Sequence, residues 1–507
     1  MSLLLDGFVH LFAGGGVLAL LVGVFLGIIV GSLPGLTATM GIALLIPFTF
    51  GVAPEVALSM MIGIFAGGIY GGSISAILLR TPGTPAAGAT VLDGYPLAQR
   101  GEAGRALAVA TISSAIGGLI GAVTLSFLAP QIARIAVRFG PPEYVLLGIY
   151  GLTMISYVTG KSMLKGYFMG LLGLLIATMG IDPISGFPRF TFGNLNLLNG
   201  LALLPVLIGL FAVAQAFEGV STFRERAVAQ IKITRIGITI RDFVRIIPHV
   251  IKSGFIGTFV GAVPGTGTDI AAFLSYGEAK RSSRNAAEFG TGAIEGVAAP
   301  EAGNNASVNG AMIPLFTLGI PGEAATAVML GGLLLLGLQP GPLLFRENAQ
   351  VIYTVFASTI TANIFILTIG LIGARVFAKV LSLPKNVITP LIFIIAIVGS
   401  YAMRNNAFDV GVTIATGFFG YLMVKADYPV PPLLLGLILG PLVESNLGRT
   451  LLISDGSYLV FFTRPISLLF VALITFALVS SAFQRRRAGT GGKGDRGGGV
   501  TPGSPDA

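Results

Sequence analysis

Long apolar runs separated by short polar turns recur along almost the whole chain. Because a helix needs about 20 mostly apolar residues to cross a bilayer, the pattern predicts an all-α polytopic membrane protein with about 10–12 transmembrane helices. Several apolar runs are shorter or are interrupted by Pro-Gly pairs, which predicts broken or re-entrant helices. No stretch remains that could fold as a sizeable soluble domain.

The stretch from Gly254 to Gly322 departs most from this pattern. It is apolar overall, yet it contains acidic and amide side chains together with breaks rich in Gly and Pro. Ionisable groups and irregular backbone are tolerated at membrane depth only where they are buried in protein or line a watery cavity. Flexible kinks between ordinary spans are the simpler interpretation, but broken helices are typical of transporter binding sites. The stretch therefore predicts a transport site.

Three segments of the first half recur, in the same order, in the second half. GIIVGSLPG from Gly27 aligns with GTFVGAVPG from Gly257, and PGTPA from Pro82 aligns with PGEAA from Pro321. A third pair is GLLGLLIATMGIDP and GFFGYLMVKADYP. Paired segments interrupted by Gly and Pro indicate an internal repeat whose interface holds the binding site. We expect the two repeats to be inverted, although basic residues at equivalent places in both halves leave parallel repeats open.

Charge and the repeats together divide the chain into four parts. Residues 1–220 form the first transmembrane repeat, and residues 253–484 form the second repeat with a final helix. Between them, residues 221–252 carry the strongest concentration of Lys and Arg, which predicts a cytoplasmic loop that ends in an amphipathic interfacial helix. Residues 485–507 are rich in Gly and predict a disordered cytoplasmic tail.

The Pro-Gly segments are candidates for binding an anionic substrate. Glycines let the backbone approach a ligand, and the first free N–H groups of a helix attract anions such as carboxylates. Threonines beside the breaks would add hydroxyl donors, although a threonine or an aspartate there could equally act only as a helix cap. The predicted substrate-binding residues are Gly35, Thr37, Thr39, Pro82, Gly83, Thr84, Gly265, Thr266, Gly267, Thr268, Asn304, Asn305, Pro321 and Gly322.

Three acids of the second half are candidates for coupling transport to a cation. Asp269 and Glu323 stand where the first half has Thr39 and Thr84, and Glu301 begins a run of amides spaced by one helical turn. Carboxylates beside broken helices suit a hard cation or carry a proton. We therefore predict that Asp269, Glu301 and Glu323 couple to a cation, with no metal beyond a transported sodium ion. Polar contacts between helices are the alternative for the run that begins at Glu301.

Composition excludes several other classes of protein. The chain is 54% hydrophobic and 10% charged, against about 25% charged in soluble domains. Its net charge of +9 does not indicate a nucleic-acid partner, since Lys and Arg fall in loops and tails. The absence of Cys removes haem or zinc ligation by Cys, and both His lie near apolar runs, where an interfacial position is expected rather than a metal ligand, so we predict no cofactor. GTGTD resembles a motif of intramembrane aspartyl proteases, but no second aspartate lies in an apolar span of the first half. We predict no enzyme.

Five blocks of the sequence resemble the large membrane subunit of tripartite tricarboxylate transporters, the TctA family. They are GSLPGLTATMGIALLIPFTF, TPGTPAAGATVLDGYPLAQRGEAGRAL, VPGTGTDIAAFLSYGEAK, EGVAAPEAGNNA and TLGIPGEAATAVMLGGLLLLGLQPGPLLF. Arg80 directly precedes the second of these blocks. The resemblance leads us to expect a smaller polar residue at its position. Arg80 could meet an anionic substrate or extend to the membrane interface.

The resemblance implies a permease of the bacterial inner membrane. Such a permease works with a small four-helix membrane subunit and a periplasmic solute-binding protein. It takes up citrate-like carboxylates with the energy of a sodium or proton gradient. A stand-alone anion channel or an uncoupled carboxylate carrier is the alternative function.

Overall fold

The computed structural model describes residues 2–49, 51–153, 162–221, 233, 235–381 and 385–491. Within them the only β structure is a short antiparallel ribbon, in which Gly180–Ile181 pairs with Pro188–Arg189. The helices of the first half are Ser2–Ala13, Gly16–Ser32, Ala38–Leu45, Pro54–Leu79, Gly88–Leu97, Ala103–Ala136, Pro141–Thr153, Met163–Ala177, Leu203–Leu207 and Ala214–Ser221. The helices of the second half are Ile240–Gly261, Gly267–Ser282, Ile294–Leu318, Ala324–Leu335, Leu344–Glu347, Ala349–Val380, Lys385–Arg404, Ala407–Lys425, Val430–Ile453, Val460–Thr463 and Pro465–Gly491.

Eight helices in the described part of the chain are long and apolar enough to cross a bilayer. The number is nine if the bent pair Leu3–Ala13 and Gly16–Ser32 counts as one span. Four shorter apolar helices accompany them, at Ala38–Thr49, Met163–Ala177, Ala324–Leu335 and Pro465–Val479. Helices satisfy their own backbone hydrogen bonds, which lipid cannot do. The prediction of an all-α polytopic membrane protein with broken apolar helices is confirmed.

Four helices are interrupted at the Pro-Gly segments. We call them interrupted helices A (Gly16–Ser32 with Ala38–Leu45), B (Pro54–Leu79 with Gly88–Leu97), C (Ile240–Gly261 with Gly267–Ser282) and D (Ile294–Leu318 with Ala324–Leu335). A and B lie in the first half, and C and D repeat their order in the second half. Pro cannot continue the hydrogen-bond ladder of a helix, and Gly adopts the backbone angles that a sharp turn requires. The sequence repeat is therefore also a repeat of interrupted helices.

The two halves exchange contacts with each other. Pro54–Leu79 of interrupted helix B lies against Ala349–Val380 in the second half. In the corresponding way, Ile294–Leu318 of interrupted helix D lies against Ala103–Ala136 in the first half. Pro54–Leu79 and Ile294–Leu318 are equivalent helices of the two repeats, and each packs against a long helix of the other half. Their relative orientation in the membrane, inverted or parallel, stays a prediction.

The third repeated segment marks another reciprocal contact. A Cβ atom on Gly436 would lie 2.2 Å from the carbonyl oxygen of Gly170, the first residue of the GLLG segment. A Cβ atom on Gly417, the first residue of GFFG, would lie 2.3 Å from Cγ1 of Val213. Small residues at such positions let helices approach closely inside a membrane. The GxxG pattern therefore serves helix packing across the two halves.

Glycines also allow the close approach of A to B and of C to D. A Cβ atom on Gly31 would lie 1.9 Å from the carbonyl oxygen of Gly68. A Cβ atom on Gly257 would lie 2.0 Å from the carbonyl oxygen of Gly303. Gly27 and Gly31 therefore recur as Gly257 and Gly261 because both pairs of interrupted helices need backbone contact.

Replacing Gly257 with Ala is expected to destabilise the protein by about 1–3 kcal/mol, because the added methyl group would force two packed helices apart. The control is Gly411→Ala, since a Cβ atom there meets nothing within 4 Å and Ala favours a helix over Gly by about 1 kcal/mol. Thermal unfolding of the purified protein in detergent measures both effects. Equal melting temperatures for the two variants would contradict the packing argument.

The amphipathic segment that was expected on the membrane surface forms the first half of the continuous helix Ile240–Gly261. Thr239 and Asp242 cap this helix, because each side chain accepts a hydrogen bond from the backbone N–H of the other residue. Arg105 of the first half forms an ion pair of 2.5 Å with Asp242. The start of the second half is therefore fastened to the first half.

Parts of the predicted domain division fall outside the described residues. These parts are residues 222–232 and 234 of the basic loop and residues 492–507 of the tail. Residues 485–491 continue the backbone of the final helix, Pro465–Gly491. The cytoplasmic placement of the loop and the tail stays a prediction.

Candidate functional site

A cavity of about 830 Å³, which we call the central cavity, lies where the interrupted helices meet. All four of them contribute residues beside their Pro-Gly segments. Because each second helix starts at its Pro-Gly segment, the segments bring helix N-termini, with their partial positive charge, to the wall. The predicted residues that line the cavity are Thr37, Thr39, Thr84, Gly265, Thr266, Gly267, Thr268, Pro321, Gly322, Asp269 and Glu323.

The two Pro-Gly segments of the second half are joined directly. The backbone N–H of Gly265 donates to the carbonyl oxygen of Gly322 over 2.7 Å. Oε2 of Glu323 accepts hydrogen bonds from the N–H and the hydroxyl of Thr268, at 2.9 and 3.2 Å. A carboxylate of the protein therefore occupies the N-terminus of the helix Gly267–Ser282, where negative charge is favoured.

Two carboxylates face one region of the central cavity. Asp269 follows Thr268, and its side chain is accessible from the cavity. Oε1 of Glu323 is buried and has no hydrogen-bond partner among the described residues. Hard cations take oxygen ligands such as carboxylates and hydroxyls. The free oxygen of Glu323, the carboxylate of Asp269 and the hydroxyl of Thr268 are groups that suit such a cation.

The glycines of the two first-half Pro-Gly segments do not line the central cavity but shape its loops. Gly35 does not line it, but its φ of 92° lies in the left-handed region that favours glycine. Gly83 and its neighbour Pro82 also lie outside the lining. A Cβ atom on Gly83 would lie 1.9 Å from the carbonyl oxygen of Gly31, so this position requires glycine for close backbone packing.

Glu301 and the amides Asn304 and Asn305 do not line the central cavity. Glu301 is fully buried, and its carboxylate accepts hydroxyl hydrogen bonds from Thr90 at 2.5 Å and from Ser114 at 3.0 Å. Nδ2 of Asn305 donates to Oδ1 of Asn304 over 2.7 Å. The two hydrogen bonds of Glu301 join the helix Ile294–Leu318 to two helices of the first half, whereas the bond between Asn305 and Asn304 lies within that helix. The contacts of Glu301 are polar contacts between helices, while the predicted role of Glu301 stays a prediction.

The central cavity also contains residues that the sequence analysis did not identify. Gln215 and Glu218 reach it from the helix Ala214–Ser221, and Asp427 and Tyr428 reach it from the end of the GFFG segment. Gln215 donates to Glu218 over 3.2 Å. Gln215 and Glu218 lie one helical turn apart at the end of an apolar run. This pattern was a sequence signal that the helix contributes to a polar cavity.

The charge of the cavity wall is uniform in sign. Its acidic residues are Glu218, Asp269, Glu323 and Asp427, and none of the described lining residues is Lys, Arg or His. An anionic ligand in this cavity therefore meets helix N-termini, hydroxyl groups and carboxylates, but no basic side chain from the described lining.

Arg80 lies outside the central cavity. Its exposed guanidinium is centred 5.8 Å from the ring centre of Tyr95. Arg80 ends the helix Pro54–Leu79 with a φ of 59°, and the repeat-equivalent residue, Gly319, has a φ of 72°. The smaller residue expected here from the family resemblance would suit this left-handed conformation.

Deleting the Arg80 side chain is expected to leave transport unchanged. Arg80→Gly is also expected to be more stable than Arg80→Ala by about 1 kcal/mol, because only the alanine retains the cost of the left-handed conformation. Thermal unfolding and substrate uptake measure the two effects. Loss of uptake in both variants, with recovery in Arg80→Lys, would instead assign Arg80 to the anionic substrate.

Comparison with known proteins identifies the family. A family model described as "Tripartite tricarboxylate transporter TctA family" matches residues 17–435. The chain belongs to this family. The TctA match contains every predicted site residue and, apart from Gly16, all four interrupted helices, so the family predicted from the sequence blocks is confirmed. With its many apolar helices, the chain is a multi-pass membrane protein and a tricarboxylate transporter large subunit of the TctA family.

Two proteins of Agrobacterium vitis are similar to this TctA-family chain. An uncharacterized 52.8 kDa protein in the TAR-I ttuC' 3' region is 38% identical over 469 residues, which cover 92% of this chain and 93% of the relative. An uncharacterized protein in the TAR-II ttuC' 3' region is 40% identical over 224 residues, which cover 44% of this chain and 93% of the relative. No solved structure matches the chain.

Proposed function

We propose that this chain is the permease subunit of a binding-protein-dependent secondary transporter in the bacterial inner membrane. It imports tricarboxylates or related carboxylates by symport with sodium ions or protons. Its partners are a small four-helix membrane subunit and a periplasmic solute-binding protein, as the family name, tripartite, suggests. It catalyses no covalent chemistry.

The charge of the central cavity supports symport. Carboxylates of a substrate would share the cavity with Asp269 and Glu323, while the described lining offers no basic side chain. Two like charges about 4 Å apart repel each other by about 4 kcal/mol at an effective dielectric constant of about 20. Helix N-termini compensate only part of this repulsion, because each carries about half a charge. A cation that enters with the substrate compensates the rest and so favours coupled transport over an uncoupled carrier.

The two kinds of group have different roles in this proposal. Helix starts and threonines beside the Pro-Gly segments hold the substrate carboxylates. Asp269 and Glu323 hold the coupling cation, because both lie at the cavity and Glu323 has a buried oxygen without a partner. Glu301 has a structural role in this proposal, because its hydrogen bonds with Thr90 and Ser114 join the helix Ile294–Leu318 to two helices of the first half.

Uptake of labelled di- and tricarboxylates into vesicles tests this function. The vesicles contain the chain, its small subunit and the binding protein, with an imposed sodium or proton gradient and no ATP. Vesicles that lack the chain are the control. We expect accumulation that requires one of the gradients. Equilibration without accumulation, unaffected by either gradient, would overturn the symport mechanism and favour an anion channel or an uncoupled carrier.

A further inference from the structure

The two halves of the repeat differ at the point where a carboxylate is bound. In the second half, the carboxylate of Glu323 accepts hydrogen bonds from the N–H and hydroxyl of Thr268. The aligned repeat segments place Thr84 at the position of Glu323 and Ala38 at the position of Thr268. The first half therefore has the same helix start without the protein's own carboxylate.

Residues of this first-half helix start line the central cavity. Ala38 and Thr39 are the first two residues of the helix Ala38–Leu45, and their N–H groups have no acceptor among the described residues. The next N–H, of Met40, is bound by the hydroxyl of Thr37 at 3.2 Å. Thr84 also lines the cavity, is 2% exposed, and its hydroxyl has no hydrogen-bond partner in the described part of the chain. Buried polar groups without a partner are rare and need an explanation.

We propose that one carboxylate of the substrate binds at this first-half position, on the N–H groups of Ala38 and Thr39 and beside the hydroxyl of Thr84. It takes the place that the carboxylate of Glu323 takes in the second half. This inference rests on the proposed function and makes it more specific. The first half receives the anionic substrate, and the second half, with Asp269 and Glu323, receives the cation.

The asymmetry follows from side-chain length and charge. Glutamate at position 323 binds the facing helix start, whereas threonine at position 84 has a shorter side chain, makes no such hydrogen bond and carries no charge. A substrate carboxylate supplies both the missing length and the missing charge. Hydrogen bonds from backbone N–H groups to a carboxylate are about twice as strong as neutral ones.

Giving the first half its own carboxylate tests this site. Thr84→Glu is expected to occupy the helix start as Glu323 does and to raise the KM for citrate uptake about 10- to 100-fold relative to Thr84→Gln, the range expected for lost hydrogen bonds to a charged group. Thr84→Gln has the same volume without the charge. Ser162→Glu controls for added negative charge elsewhere on the cavity wall, and its KM is expected to change less than that of Thr84→Glu. Thermal unfolding shows whether the variants fold equally well.

Two outcomes would overturn the inference. Thr84→Glu and Thr84→Gln with equal KM values would show that no carboxylate binds there. Equal effects of Thr84→Glu and Ser162→Glu would show only general repulsion. Failure of the wild-type chain to transport any carboxylate would instead overturn the proposed function.

A second variant keeps the test valid if Thr84→Glu does not fold. Ala38→Pro removes one N–H donor at the first helical position, where proline is tolerated. Thr37 before it has the extended conformation that a residue preceding proline requires. The KM of Ala38→Pro for citrate uptake is expected to rise about 10-fold, because one charge-assisted hydrogen bond to the substrate is lost. An unchanged KM would overturn the assignment of this N–H group.

Discussion

Asp269→Asn is expected to abolish gradient-driven accumulation of carboxylates. The substitution keeps the size of the side chain but removes a negative charge that lies at the central cavity beside Thr268 and Glu323. A neutral amide is a weaker ligand for a hard cation and cannot carry a proton. Uptake into vesicles under a sodium or proton gradient measures the effect, and we expect the variant at most to equilibrate the substrate.

Glu301→Gln is the matched control for this experiment. Glu301 is also a buried acid of the second half, but its carboxylate is bound by Thr90 and Ser114 away from the cavity. Its replacement is expected to lower stability by about 1–3 kcal/mol, because the new amide N–H₂ cannot accept one of these hydroxyl hydrogen bonds. Protein that folds should keep its dependence on the gradient. Accumulation by Asp269→Asn, or its loss only in Glu301→Gln, would contradict our assignment of the coupling site.

Asp93→Ala is expected to destabilise the protein by at least about 3 kcal/mol, since several buried donors would lose their acceptor at about 1–3 kcal/mol each. Asp93 is fully buried, and its Oδ1 accepts the N–H groups of Gly290, Gly292 and Ala293 at 2.8–2.9 Å. Its Oδ2 accepts the hydroxyl of Tyr276 over 2.9 Å. The side chain thus fastens the first half to the chain segment that leads into the helix Ile294–Leu318.

Asp93→Asn separates charge from hydrogen bonding in this contact. Its side-chain oxygen can still accept the three backbone N–H groups, while its N–H₂ group cannot accept the Tyr276 hydroxyl. We expect the free energy of unfolding to fall by about 1 kcal/mol, which is the typical contribution of one hydrogen bond. Thermal unfolding of the purified variants in detergent gives the comparison. Equal melting temperatures for the alanine and asparagine variants would show that the hydrogen bonds of Asp93 do not hold the halves together.

The breaks in the interrupted helices could be predicted from the sequence because Pro and Gly act locally. A Pro-Gly pair ends a helix whatever surrounds it, so the helix starts at Ala38 and Gly267 were visible as sequence patterns. The repeat then indicated which breaks correspond. Most of the threonines and glycines predicted beside the breaks lie at the central cavity, and their role in substrate binding stays a prediction.

Long-range packing decided the features that the sequence could not show. The run beginning at Glu301 fits a binding site or a contact between helices, and no sequence pattern showed that Glu301 contacts Thr90 and Ser114. Asp93 gave no local signal, because its N–H donors are about 200 residues away in the sequence. Likewise, Gln215 belongs to the cavity only because its helix packs beside the Pro-Gly segments.

We propose that a carboxylate and a cation bind together in the central cavity. Equilibrium binding of labelled citrate to the assembled complex, over a range of sodium concentrations at two fixed pH values, decides whether they do. We expect sodium or protons to raise the affinity for citrate, and citrate to raise the affinity for that cation by the same factor, as linkage requires. Both effects should vanish in Asp269→Asn. An affinity for citrate that is independent of sodium, and of pH beyond the titration of citrate itself, would contradict the claim.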